Sequence, residues 1–328
     1  MANCSIIVPL ISECQRFERW SQELKPMQSV DGQPMITYAR DSFVKLGQFN
    51  WVFILRPDLV SELQPSLIDW FPQAQFIIQD QRTLAMTLTE LIAGPLANEE
   101  IILCDADISF VAPEFLNQDE SKADAIILGS RSNFKARLGT NVKSGVVTSL
   151  TSHPEEGRQT SCGLFKINKT DRFLNFLQTA RNEDNAAEII KSWFHWGAKI
   201  KWHEAQSLFS FISHKDILQY KGRYGSGYQT LSEFYPYYLS EHLQPGTKIL
   251  HFIGTSIGII CFISAILFWD PVFLLAGLIS GYAFAWISHM LIEHNRPATF
   301  KYPLFSFACD FIMFWELLTG KRLFSSAK

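Results

Sequence analysis

The chain has no excess of positive charge. Its 328 residues carry 29 Lys and Arg against 32 Asp and Glu, a formal charge of -3. That balance excludes the basic stripe on which nucleic-acid binding usually depends, so no nucleic acid is expected as a partner. Cys4, Cys14, Cys104, Cys162, Cys261 and Cys309 are scattered, with no Cys-x-x-Cys pair. Neither a zinc ribbon nor a disulfide framework is expected, and reduced thiols fit a cytosolic setting. No basic residue precedes the short apolar run of MANCSIIVPL. That run is expected to be a buried strand and not a signal peptide. Repeats and low-complexity tracts are missing too. So is charge in two stretches near the C-terminus, Ile249 to Trp269 and Val272 to Ile292, which flank Asp270-Pro271. Each is about long enough to cross a hydrocarbon core of roughly 30 Å.

The second apolar run is broken only by Ser280, Ser288 and His289. If the runs form an antiparallel helical hairpin, His251 lies at the start of the first helix, beside His289 and Glu293 at the end of the second. His289 and Glu293 are four apart and are predicted to share a helix face. With His242 just upstream, imidazoles and a carboxylate gather at the mouth of the hairpin. Such a set suits Fe(II), Zn(II) or Mn(II). Ionisable groups at membrane depth are costly and therefore tend to be functional. Lys248, Arg296, Lys301, Lys321 and Arg322 all lie on the histidine side, and the turn has no basic residue. The positive-inside rule then puts the histidine mouth toward the cytoplasm, on the side of the N-terminal domain. Leu304–Leu318 is apolar but is interrupted by Asp310 and Glu316. It is expected to lie in the interface or pack on the hairpin.

Residues 1–222 read as an α/β domain with a mostly parallel sheet. Ser5–Pro9, Trp51–Leu55, Gln75–Ile78, Ile101–Cys104 and Ala125–Leu128 are short runs rich in Ile and Val. Helix-like stretches at Met35–Leu46, Leu59–Trp70 and Leu84–Ala93 alternate with them, as in sheets covered on both faces. Two more strands, Gly145–Leu150 and Cys162–Ile167, and two more helices follow. The Gly-rich stretch around residues 223–229 is taken as a linker, and residues 230–328 as a helical membrane domain. Asp105 and Asp107 follow the Ile101–Cys104 strand as Asp-x-Asp. Paired carboxylates at a strand end can hold Mg²⁺ or Mn²⁺ against a nucleotide diphosphate. Arg131, Lys135 and Arg137 are expected in a solvated loop, and His195, His203 and His214 in the core or on the surface.

The stretches FYPYYLSEHLQPGTKILHFIGT and GYAFAWISHMLIEHNRPATFKYP resemble the membrane-bound 2-hydroxy fatty acid dioxygenases of fatty acid α-oxidation and phytosphingosine breakdown. The residues that carry the resemblance are His242, His251, Gly254, His289, Glu293, Arg296, Pro297 and Ala298. It spans about residues 230–325. It implies an Fe(II) cofactor held by His242, His251 and His289, and a fatty-acyl substrate. Glu293 would ligate the metal or orient His289, and Arg296 would pair with the substrate carboxylate, both as catalytic residues.

The segment LKPMQSVDGQPMITYARDSF is similar to sugar-phosphate nucleotidyltransferases, whose fold is of the GT-A or Rossmann-like kind. Lys25, Pro26, Gly32, Pro34 and Met35 match. The resemblance implies that Lys25 contacts phosphate and that an aspartate of Asp105 and Asp107 binds the metal. The family's Gly-rich phosphate loop is replaced by Leu10-Ile11-Ser12-Glu13-Cys14-Gln15-Arg16-Phe17, which has no glycine. Close backbone approach to phosphate needs glycine there, and only Arg16-Phe17 survives of the loop's ending. Three readings of this domain stay open: a sugar-nucleotide transferase anchored by the hairpin, a degenerate nucleotide- or sugar-nucleotide-binding domain, and an active nucleotidyltransferase with an altered loop.

Overall fold

The computed structural model describes residues 4–11, 24–80, 82–116, 123–130, 137–153, 159–295 and 297–325. Arg16, Arg131, Lys135 and Arg296 lie outside them. The chain forms two compact units, Met1–Asp216 and Ile217–Lys328.

The first unit contains thirteen described strands. They are β1 (Cys4–Leu10), β2 (Ser29–Val30), β3 (Gln33–Pro34), β4 (Asn50–Leu55), β5 (Gln75–Ile78), β6 (Glu100–Cys104), β7 (Ile108–Val111), β8 (Ala125–Ser130), β9 (Leu138–Lys143), β10 (Val146–Thr151), β11 (Gln159–Ile167), β12 (Ile200–Glu204) and β13 (Ser207–Ser210). Its helices are α1 (Met35–Val44), α2 (Val60–Trp70), α3 (Leu84–Ala93), α4 (Thr170–Leu177) and α5 (Ala186–His195). Nine strands form one sheet in the order β5-β4-β1-β6-β11-β8-β12-β10-β9. β5, β4, β1 and β6 pair in parallel, as the alternation of strand and helix predicts. β11 then enters antiparallel between β6 and β8. From there the sheet is mixed, not uniformly parallel, because β9, β10 and β11 follow one another with too little chain between them for crossover helices.

Both faces of the sheet are covered. α1 and α2 pack Ile36, Phe43, Leu63 and Leu67 on one side. α3, α4 and α5 pack Leu88, Phe173 and Trp193 on the other. This is why β1 reads as a continuous apolar run: Ile6, Ile7 and Val8 are all buried. Asp31 and Gly32 both take positive φ, 49° and 87°, in the tight turn between β2 and β3. The turn needs that conformation at both central positions, which Asp-Gly supplies readily.

The second unit begins within α6 (His214–Arg223) and continues through α7 (Leu231–Ser240), α8 (Pro245–Phe268), α9 (Val272–Ser288) and α10 (Pro303–Leu318). The stretch expected to be a linker is structured instead. Its first residue, Arg223, ends α6, and Tyr228 is buried against Phe234 and Tyr237. The Gly-rich composition suggested flexibility, but the aromatic residue within it decides the packing.

α8 and α9 form the expected hairpin. The spans Pro245–Phe268 and Val272–Glu293 are long and apolar enough to cross a membrane. Trp269 closes α8 in the left-handed conformation, and Asp270 Oδ1 accepts from Val272 N at 2.9 Å to start α9. Most of the hairpin's apolar side chains point outward: Leu267 is 70% exposed and Trp269 92%. Thr247, His251 and Gly254 form a buried stripe on α8 at helical spacing. α10 buries Ser306, Cys309, Met313 and Leu317 in the same way, packing on α7 and α8.

Candidate metal centre and the Asp-x-Asp site

Three elements of the second unit bring His242, His251 and His289 together. His242 follows α7, His251 lies in the second turn of α8, and His289 opens a π-helical turn, His289–Glu293, at the end of α9. All three are buried, with 1%, 6% and 2% exposure. One ligand atom from each lies within 4.8 Å of the others. The ring centroids are 4.5 Å apart for His242 and His251, 4.7 Å for His242 and His289, and 5.4 Å for His251 and His289.

Each ring is fixed through Nδ1. His242 Nδ1 lies 2.5 Å from the Tyr238 carbonyl oxygen. His251 Nδ1 lies 2.8 Å from Asp310 Oδ1, which also accepts from the Tyr238 hydroxyl at 2.5 Å. His289 Nδ1 lies 2.7 Å from Asn295 Oδ1. A carbonyl and a carboxylate can only accept, so Nδ1 carries the proton in His242 and His251. The Asn295 amide is oriented by Glu241, whose Oε2 accepts from Asn295 Nδ2 at 2.9 Å, leaving Oδ1 for His289. Glu241 is itself held by Arg223 at 2.9 Å and Gln219 at 2.7 Å. Each imidazole therefore directs an unprotonated Nε2 away from its supporting acceptor, the arrangement that supports metal-ligating histidines.

The Nε2 atoms of His242 and His251 are buried and have no hydrogen-bond partner. An orphaned buried acceptor is costly. Burial holds the His242 imidazole well below its ordinary pKa, reinforced by the two neighbouring histidines, so the lone pair is kept. The donor set thus fits a divalent ion that favours imidazole.

Glu293 is placed elsewhere. Its Oε1 accepts from the Gln244 backbone N–H at 2.7 Å, at the start of α8. The backbone from His289 to Glu293 is π-helical, a kind of turn that recurs at functional sites. Asp310, Asn295, Tyr238 and Glu241 support the three rings, and sequence reasoning did not assign them. Asp310, a charge within an apolar helix, was the one visible signal.

In the first unit, Lys25 lies against the Asp-x-Asp pair, and the carboxylates already have cationic partners. Lys25 Nζ pairs with Asp107 Oδ2. Arg137 donates to Asp105 Oδ2 at 2.9 Å and to Asp107 Oδ2 at 3.0 Å. Arg137, expected in a solvated loop, is therefore part of the cluster. Burial pushes the Asp107 carboxyl up, but Arg137 and Lys25 outweigh it and leave its pKa below the ordinary value. Gly163 makes room for Asp105. Its φ is +92°, and a Cβ there would lie 1.8 Å from Asp105 Oδ2. A small pocket lined by Pro9, Leu10, Lys25, Pro26, Ala106 and Asp107 opens beside the cluster. A divalent cation at Asp107 must displace Lys25 and Arg137.

Residues 228–322 match the model of the family described as 2-hydroxy-palmitic acid dioxygenase Mpo1-like. The fold of the N-terminal part is that of sugar-phosphate nucleotidyltransferases. The inositol-1-phosphate CTP transferase of T. maritima superposes with a TM-score of 0.55 at 15% identity, covering 66% of this chain and 92% of that one. A nucleoside-diphosphate-sugar pyrophosphorylase of Vibrio cholerae gives 0.51 at 17%, covering 65% and 98%. The UDP-glucose pyrophosphorylase of Acinetobacter baumanii gives 0.51 at 12%, covering 69% and 95%. No curated protein matches the chain by sequence.

Proposed function

We propose that the C-terminal unit is a membrane-embedded, Fe(II)-dependent oxygenase acting on long-chain 2-hydroxy fatty acids. The N-terminal unit binds a nucleotide or sugar nucleotide without transferring it. The observation that carries the first reading is the pair of orphaned Nε2 atoms in a cluster whose Nδ1 atoms are all engaged. His242, His251 and His289 hold the metal through Nε2. Iron bound there would supply open positions for oxygen chemistry that shortens the acid by one carbon. The chain's own residues do the rest. Asp310, Asn295 and the Tyr238 carbonyl fix ring orientation and tautomer. Three neutral imidazoles bring no charge to a divalent ion, which favours an anionic substrate. Arg296 is the natural partner for the substrate carboxylate. Glu293 is assigned to holding the start of α8.

The exposed apolar surface of α8 and α9 supports a bilayer crossing, since a soluble core helix would bury it. Lys248, Lys301, Lys321 and Arg322 favour a cytoplasmic histidine mouth, and a cytoplasmic N-terminal domain. The expected activity is O₂ uptake with 2-hydroxypalmitic acid by the iron-loaded, detergent-purified protein, abolished in His289→Ala. A His289→Ala protein with full turnover overturns the reading.

The pairing of Asp105 and Asp107 with Lys25 and Arg137 favours binding over transfer in the N-terminal unit. CTP or UDP-glucose is expected to bind the full-length protein equally with and without Mg²⁺ or Mn²⁺, with no pyrophosphate released from CTP and a sugar phosphate. Metal-dependent release, lost in Asp107→Ala, would instead establish the transferase alternative.

A further inference from the structure

A groove opens beside the three imidazoles, bounded by α8, α9 and α10. His251 and Asp310 line it together with Thr255, Thr299, Leu278 and Phe311. Together with its open mouth it has an empty volume of about 530 Å³. Its floor contains Gly254 and Gly258 of α8 and Gly277 and Gly281 of α9. These four glycines are not equivalent. A Cβ on Gly254 would lie 3.0 Å from the Phe284 Cβ, and one on Gly277 would lie 2.9 Å from the Cys261 Cβ. Those two let the helices approach. A Cβ on Gly281 meets nothing within 4 Å, and one on Gly258 meets only the Gly277 carbonyl oxygen at 3.7 Å. Helix packing does not require glycine at either position, and glycine weakens a helix interior relative to alanine. What the two residues provide is open space in the groove.

A second observation shows what the space is for. His251, one of the three imidazoles, lines the groove and is 6% exposed, so the groove reaches the candidate centre. A ligand that runs from that centre along Leu278 and Phe311 has a polar head and an apolar body. We propose that the groove is an acyl subsite. It takes the unbranched chain of a free 2-hydroxy acid, with the acid end at His251, and Gly258 and Gly281 keep it open. The inference rests on the imidazoles being the reaction centre. His251 and Gly258 are seven residues apart, about 10 Å along the helix, so the groove holds only the part of the chain nearest the head. The rest of the chain runs along the outward apolar face of the hairpin. The floor is helix backbone and cannot step aside, so a methyl branch near the head is rejected, while chain length beyond the groove matters little.

The test uses full-length protein in detergent, with and without Fe(II), and a 2-hydroxy fatty acid bearing a photoreactive diazirine near its head. Adducts are expected within 277–285, competed by unlabelled 2-hydroxypalmitic acid and not by phosphatidylcholine. In Gly281→Leu and in Gly258→Leu half-saturation should weaken at least tenfold, because several methylenes lose their place and each contributes roughly fourfold. Circular dichroism of the two leucine variants in the same detergent serves as the folding control, and both should keep the native helix content. Labelling that falls on the outward residues Leu267, Phe268 and Leu275, or that is unchanged by both leucine substitutions, overturns the proposal. So does equal displacement by phosphatidylcholine, which would make the groove a bilayer-lipid contact. Iron content, measured on the same samples, separates this failure from that of the metal reading. Native protein that labels in the groove but takes up no iron contradicts the centre and not the subsite.

Discussion

At the residue scale, the most informative atoms are the ones that hold the histidines. Asp310 fixes His251 and also accepts from Tyr238. Removing such a support typically costs about 10–100-fold in metal affinity. Asp310→Ala should therefore weaken Fe(II) binding by that factor while His242 and His289 remain, as competition with a chelator would measure. Unchanged affinity would remove Asp310 from the site. The three histidines were legible because imidazole is conspicuous at the ends of apolar runs. Asp310 is 59 residues from His251 and Asn295 is 54 from Glu241, so their partnerships depend on packing that no local pattern records. Glu293 instead accepts from the Gln244 N–H, 49 residues away in sequence, a partnership that the local spacing to His289 does not record.

A second residue-scale prediction concerns Asp107, buried between Lys25 and Arg137. Breaking a buried pair by removing one partner costs about 3–5 kcal/mol. Asp107→Asn should lower the melting temperature of the N-terminal unit by roughly 6–20 °C, at about 2–4 °C per kcal/mol for a unit of this size. The folded carboxyl is held below its ordinary value. Its contribution is therefore present above the unfolded pKa of about 3.9 and is lost as pH falls through the folded value. The native chain's advantage over Asp107→Asn should be constant from neutral pH to about 5 and shrink only in stronger acid. An advantage that disappears between pH 7 and 5 would contradict this assignment.

At the scale of elements, the glycines of the hairpin divide into those that set helix separation and those that do not. Gly277 belongs to the first kind, since any Cβ meets Cys261. Overpacking of this sort costs about 1–3 kcal/mol. Gly277→Leu should lower the melting temperature of the helical unit more than Gly281→Leu does, by circular dichroism in detergent. An equal effect would mean that α8 and α9 are not closely apposed there. Strand and helix positions were largely legible: β5 and α3 run as their patterns predict, Gln75–Ile78 and Leu84–Ala93. The antiparallel insertion of β11 was not, because an apolar run buried on both faces carries no mark of strand direction. The 223–229 stretch shows the converse. Its glycines pointed to a linker, while Tyr228 packs into the helical unit.

At the scale of the whole molecule, the chain joins a nucleotidyltransferase fold to an Mpo1-like helical unit. Each was visible in the sequence through a different kind of signal. The α/β unit showed itself through alternating elements and the Lys25 and Asp-x-Asp residues. The helical unit showed itself through hydropathy and histidine placement. What the two units do in one chain depends first on whether the histidine cluster is a metal centre. The most direct measurement is the metal content of full-length protein purified in detergent and reconstituted anaerobically with Fe(II), beside the His251→Ala/His289→Ala double variant. The account predicts about one iron per chain in the native protein and almost none in the variant. The same low metal content in both would contradict it and reduce the hairpin to an anchor for the N-terminal unit.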